Sequence, residues 1–206
     1  MSRTAYLVGA SALIAIFLVF SGLRAYDIVT WAMEVAPVLI VLPLLWVTYA
    51  RYPLTNLLYA CIVLHAVVLI VGGMYTYARV PLGFDLQSLF GLTRNPYDKI
   101  GHFVQGFVPA LAVREILIRG AYVRGRRMLV FVVMCIVLAV SASYELIEWG
   151  AAEALEQDAD DFLGTQGDPW DTQSDMLTAL IGAVVSLTVC SRLHDRQLAA
   201  VDTERA

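Results

Sequence analysis

The sequence predicts an all-α, polytopic transmembrane helix bundle of about six spans, with both termini on the cytoplasmic side. Apolar residues fill 59% of the 206 positions and the mean hydropathy is +0.70, against roughly 45–50% apolar in soluble domains. Charged residues make up 16%, and they cluster between long uncharged runs instead of recurring at the helical spacing of a water-facing surface. The uncharged runs have the roughly 20-residue length that a bilayer core requires.

Six such runs follow in order, at 5–22, 31–49, 54–75, 98–117, 128–149 and 171–190. Only Arg3 precedes the first, and no small-x-small pattern follows Phe20, so it reads as an uncleaved anchor and not a signal peptide. Glu34 in the first turn of the second run, with Pro37 and Pro43 further on, predicts a bend, which a membrane helix tolerates. Lysine and arginine set the orientation. Ten of them, Arg3, Arg51, Arg114, Arg119, Arg124, Arg126, Arg127, Arg192, Arg196 and Arg205, fall on one side, against Arg24, Arg79, Arg94 and Lys99 on the other. The ten mark the cytoplasm. The chain is then a single membrane domain, 1–206, with a motif-bearing core at 95–190 and an acidic loop at 150–170 facing outward.

A net charge of −4 supplies no broad basic surface for phosphate backbones, which excludes nucleic acid as a partner. Cys61, Cys135 and Cys190 lie inside apolar runs without CxxC spacing, and read as packing residues.

Three polar pairs carry the chemistry. Asp98 and His102 stand four apart at the start of the fourth run, Glu145 and Glu148 three apart at the end of the fifth, and Asp171 and Asp175 four apart at the start of the sixth. Each spacing puts both members on one helix face, and the topology puts all three pairs at the outer interface. Asn95-Pro96-Tyr97-Asp98 with His102 matches Asp168-Pro169-Trp170-Asp171 with Asp175 position for position. Asp98 and Asp171 have an alternative role as helix caps, but His102 and Asp175 lie a turn deeper, where several acids together need a cation or a partner such as Lys99 to offset them. Glu145 and Glu148, near a helix C-terminus, oppose the dipole unless they face water. Gly101, Gly106, Ser141, Thr178 and Gly182 are small enough for the three helices to approach closely. His65, in the middle of the third run, is either a functional group or a neutral histidine bonded to a neighbouring helix. His194 reads as a cytoplasmic tail residue, and Arg124, Arg126 and Arg127 as a loop that sets topology and touches anionic lipid.

The stretches NPYDKIGHFVQG, YELIEW and DFLGTQGDPWDTQSDM, between Asn95 and Met176, resemble the signature of the YjdF-like family. The likeness implies the bacterial inner, or plasma, membrane as location and six helices as layout, but supplies no reaction. More distantly, Asp98-Lys99 with His102-Phe103, followed by Asp171 and Asp175, resembles the core of VanZ-like proteins; Glu148 and Thr178 depart from it where Gln and Asn are expected.

The residues themselves point to a divalent-metal site with Asp98, His102, Glu145, Glu148, Asp171 and Asp175 as candidate ligands. Carboxylates with one imidazole suit Mg²⁺, Mn²⁺ or Zn²⁺. Glu145 or Glu148, left uncoordinated, would serve as base, and Lys99 as the partner of an anion. Such a metal-dependent hydrolase or transferase would act on a membrane lipid or on a lipid-linked, phosphate-containing substrate. The alternatives are a proton- or ion-coupled transporter and a non-catalytic polar network holding the helices in register.

Overall fold

The computed structural model describes residues 3–155 and 165–203, and every regular element among them is helical. These are α1 (Arg3–Leu23), α2 (Ile28–Tyr49), α3 (Asn56–Met74), α4 (Pro81–Phe90), α5 (Tyr97–Arg119), α6 (Arg126–Leu155), α7 (Asp171–Val189) and α8 (Ser191–Thr203). Four of them, α2, α3, α6 and α7, are long and apolar enough to cross a membrane, and α1 contributes a shorter apolar stretch at Leu7–Leu23. At 23 residues, α5 is about 35 Å long by the helical rise, enough for a bilayer core. Its charges keep it out of the apolar set. Its polar side chains Asp98, His102, Arg114 and Glu115 are buried in protein, where a spanning helix places such groups.

The chain forms two compact units, Met1–Pro53 with Ile62–Asp98, and Leu54–Cys61 with Lys99–Ala206. In the first, Asp27 caps α2 by accepting from Thr30 N–H at 2.7 Å. Two indoles fasten α1 to α2 at well-separated levels, Trp31 Nε1 donating to Ser21 Oγ and Trp46 Nε1 to Ser11 Oγ, both at 3.0 Å. Pro37 and Pro43 lie inside α2, which runs on through both as one helix.

The sequence shows no sign of α4, whose ten residues are too few for a span and fall in an expected loop. It starts on Pro81 and ends on Gly91 at φ 62°, the left-handed cap that glycine adopts without strain. Asn95 holds this segment. Its Nδ2 donates to Val80 O and its Oδ1 accepts from Tyr97 N–H, each at 3.0 Å, while a Cβ on Gly83 would fall 1.7 Å from that Oδ1. Asn95→Ala removes both bonds from a buried position and should lower stability by about 1–2 kcal/mol, read as a drop in the melting temperature of the detergent-solubilised protein.

The second unit is built on α5, α6 and α7. Ala110, Val133, Val137, Ala179, Ala183 and Leu187 form its apolar core, all at most 8% exposed. Its tightest point is backbone to backbone: a Cβ on Gly106 would sit 1.8 Å from Ala179 O, and one on Gly182 2.1 Å from Phe103 O. Gly106 and Gly182 thus provide the close approach that their size predicts. Helix α8 turns His194, Leu198 and Val201 inward, at the 3.6-residue period of an amphipathic helix.

Candidate functional site

The matched tetrapeptides fold alike. Asp168 Oδ1 accepts from Trp170 N–H at 2.9 Å, as Asn95 Oδ1 does from Tyr97 N–H, so each X-Pro-aromatic-Asp forms a side-chain-closed turn that launches a helix. The turn is closed by Asn95 or Asp168, which leaves Asp171 for another task. Trp170, the residue before α7, makes no side-chain cap either.

Lys99 takes up Asp171. Its ammonium donates to Asp171 Oδ1 at 2.9 Å, to Ser174 Oγ at 2.6 Å and to Asp175 Oδ1, which occupies all three of its N–H donors. Ser174 in turn donates to Asp171 O at 2.9 Å. Lys99, read from the sequence both as a partner that offsets the acids and as the partner of an anion, is bonded to this chain's own carboxylates. Ser174 belongs to the site although sequence reasoning passed over it, since one hydroxyl in a polar helix start carries no distinguishing signal.

Around His102 the imidazole meets two more helices. Its Nε2 stands 3.7 Å from Glu145 Oε1 on α6 and 3.9 Å from Asp175 Oδ1 on α7, and all three side chains are at most 9% exposed. Asp98 precedes His102 by one turn of the same helix, also buried, with its ligand atom within 4.8 Å of the imidazole. Two ligands of one metal ion, each about 2.0–2.2 Å from it, are about 3.0–3.5 Å apart, so each of these two His102 contacts is only slightly wider than a pair of ligands would be. Glu148 lies further round, on the wall of a cavity of about 350 Å³ that it shares with His102, Glu145, Asp171 and Asp175. The apolar side chains of Ala142, Leu146, Trp149 and Met176 line it as well.

The six candidate ligands therefore divide. His102, Glu145 and Asp175 converge with Asp98 one turn away, Asp171 pairs with Lys99, and Glu148 lines the cavity. Helix α6 continues to Leu155 instead of ending near Trp149, so Glu145 and Glu148 stand well inside it and the expected conflict with its dipole does not arise. The helix also takes in 150–155 of the expected acidic loop; of the loop's acids, Glu156, Asp158, Asp160 and Asp161 lie outside the described residues.

A second polar cluster escaped the sequence reading. Glu115, fully buried on α5, accepts from Thr55 N–H at 3.1 Å, Thr55 Oγ1 at 2.8 Å, Arg119 Nη1 at 2.9 Å and His194 Nε2 at 3.0 Å. His194 is no tail residue: it is fully buried, with Nδ1 3.1 Å from Arg114 Nη1. A guanidinium only donates and a carboxylate only accepts, so His194 accepts at Nδ1 and donates from Nε2, the neutral tautomer. Arg114 also pairs with Asp195, and Gln197 Oε1 accepts from Leu57 N–H at 2.8 Å. Arg114 and Arg119, counted as loop charges, are helix residues that lock α8 and the start of α3 onto α5.

His65 belongs to the first unit, and its buried Nε2 has no hydrogen-bond partner among the described residues; the expected bond to a neighbouring helix is not formed there. The three cysteines are free thiols.

Comparison with known proteins agrees with the membrane architecture. The family model described as "Predicted membrane protein (DUF2238)" matches residues 6–196. The chain is 61% identical over 185 residues to "Inner membrane protein YjdF" of Escherichia coli (strain K12), covering 90% of this chain and 88% of that one. The VanZ-like likeness gains no support from these matches. No solved structure matches.

Proposed function

The chain belongs to the DUF2238 family of membrane proteins, and from that premise we propose that this multi-pass inner-membrane protein holds a divalent metal ion, Mg²⁺, Mn²⁺ or Zn²⁺, at the ends of α5, α6 and α7 that the charge distribution assigns to the periplasm. The observation that carries this reading is the convergence of His102 with Glu145 and Asp175, at 3.7 and 3.9 Å, on the wall of a cavity. A metal there would supply a Lewis acid and an activated water. Glu148, on the same wall, is placed to take a proton, and the chemistry fits hydrolysis or transfer at an ester of a lipid or envelope-linked molecule.

A second reading draws on Lys99. An ammonium whose donors are all taken by Asp171, Ser174 and Asp175 is what a closed, non-catalytic network would contain. A transporter fits less well, because the apolar core of Ala110, Val133, Val137, Ala179 and Ala183 lies between the level of the His102 cluster and that of the Glu115 cluster. Those clusters are 13 residues apart on α5, about 20 Å by the helical rise.

Metal analysis separates the two. Protein purified without chelators should carry close to one divalent ion per chain and lose it in His102→Ala and Asp175→Ala; metal-free wild type would sink the metal reading. Lys99→Gln sharpens the comparison. With the competing ammonium gone from Asp175, a metal site should bind Mn²⁺ several-fold more tightly, whereas a closed network would only melt at a lower temperature.

A further inference from the structure

Helix α4 leaves an apolar stripe uncovered. Leu82, Leu86, Leu89 and Phe90 follow the i, i+4, i+7, i+8 spacing that lines one helix face. Leu82, Leu89 and Phe90 are 55%, 74% and 68% exposed, whereas Gly83 is buried and packs on Asn95. By the helical period Ser88 faces away from the stripe and Asp85 borders it, both exposed. Phe84, across the helix, is the one exposed large apolar side chain of α4 outside the stripe.

What covers the stripe follows from where the helix is held. Ten residues make about 15 Å of helix, half a bilayer core, so α4 lies at a membrane surface or leaves it. Two bonds keep it there. Asn95 Nδ2, donating to Val80 O at 3.0 Å, joins the two ends of the α4 segment, and Tyr97 Oη, donating to Val68 O at 3.2 Å, fastens that closed segment to α3. Val68 is six residues before the end of α3 at Met74, about 9 Å into this span by the helical rise. On the other side, Arg79 precedes the cap residue Val80 and its guanidinium lies 4.0 Å from the centre of the exposed Tyr26 ring. Tyr26 N–H in turn donates to Met74 O at 3.0 Å. A tyrosine stacked with an arginine at the end of a span marks the headgroup level. Leu23 and Ile28, which flank Tyr26 along the chain, are exposed as well, as lipid-facing residues of α1 and α2 are.

We propose that α4 is an interfacial helix of the same membrane, with Leu82, Leu86, Leu89 and Phe90 covered by the headgroup–acyl boundary of the leaflet at the outer end of α3. The partner is the lipid surface itself, and the inference depends neither on a metal nor on the His102 cavity. It puts lipid in contact with the turn that Asn95 closes ahead of α5.

The test places single spin labels on the full chain in vesicles of phosphatidylethanolamine and phosphatidylglycerol, in a background of Cys61→Ala, Cys135→Ala and Cys190→Ala. The labels enter through Leu82→Cys, Asp85→Cys, Ser88→Cys, Leu89→Cys and Phe90→Cys, all at exposed positions. Collisions with oxygen, which concentrates in lipid, and with a water-soluble nickel chelate report the depth of each label. Those at 82, 89 and 90 should lie about 5–10 Å into the headgroup–acyl boundary, and the one at 88 in water. If the nickel chelate reached all of them alike, α4 would stand in water and the proposal would be overturned. Labels at 82, 89 and 90 shielded from both relaxants would overturn it too, since protein would then cover the face, and dipolar broadening among them would identify a second copy. Should the alanine background fail to fold, the wild-type chain in the same vesicles decides the matter. A lipid-dissolved diazirine should, on irradiation, label Leu82, Leu89 and Phe90, and spans labelled without any label on α4 would refute the interfacial placement.

Discussion

Gly106→Leu should be the most damaging single substitution in the core, lowering stability by about 3 kcal/mol or more. Overpacking a core ordinarily costs about 1–3 kcal/mol, because neighbouring side chains shift to make room. Here the first atom of any side chain would lie 1.8 Å from the backbone carbonyl of Ala179, and a backbone carbonyl in a packed helix has no rotamer to adopt. The whole of α7 must move. That displacement would also pull Asp175, one turn before Ala179, away from His102, so metal binding should fail with the fold. The measurement is the melting temperature in detergent, with Gly150→Ala as the control. A Cβ at Gly150, also helical, meets nothing within 4 Å, so alanine there should raise stability by about 0.5–1 kcal/mol through helix propensity. If the two substitutions moved the melting temperature alike, the close approach of α5 and α7 would be wrong.

Glu115→Ala comes next, with an expected loss of about 3–5 kcal/mol, the range for removing one partner of a buried ion pair. Its carboxylate receives Thr55, Arg119 and His194 together, and alanine would remove the acceptor that Arg119, whose side chain is 3% exposed, donates to. Because His194→Ala removes part of the same network, the double variant should lose clearly less than the sum of the two singles. Additive losses in that cycle would show that the groups act separately and that α8 is not held through Glu115.

These two predictions differ in how far the sequence anticipated them. Gly106 and Gly182 are legible as contact residues because small side chains in a membrane helix have few other uses. Likewise the four-residue spacing of Asp98 with His102 and of Asp171 with Asp175, repeated behind matching turns, places both pairs at one level before any coordinates are known. That Lys99 offsets the clustered acids is legible, but which of them it bonds is not, since Asp171 and Asp175 stand 72 and 76 residues away and nothing local singles them out. The Glu115 cluster is hidden for a different reason. Arg114, Arg119 and His194 flank apolar runs where basic residues serve topology by default, so position alone hides a buried network behind an ordinary explanation. Helix α4 is missed because ten residues cannot be told from a polar loop by a rule tuned to bilayer thickness.

Helix α5 carries a final consequence, which concerns the order in which the chain is made. Lys99 waits for Asp171 and Asp175, and Arg114 waits for His194 and Asp195, partners 72 to 81 residues downstream. During synthesis the ribosome delivers α5 with its internal Glu115–Arg119 pair but before these later partners of Lys99 and Arg114 exist. A chain ending before residue 171 would lack the partners that Lys99 and Arg114 find in α7 and α8. The polar contacts of this helix are therefore completed only when the last two helices have been made.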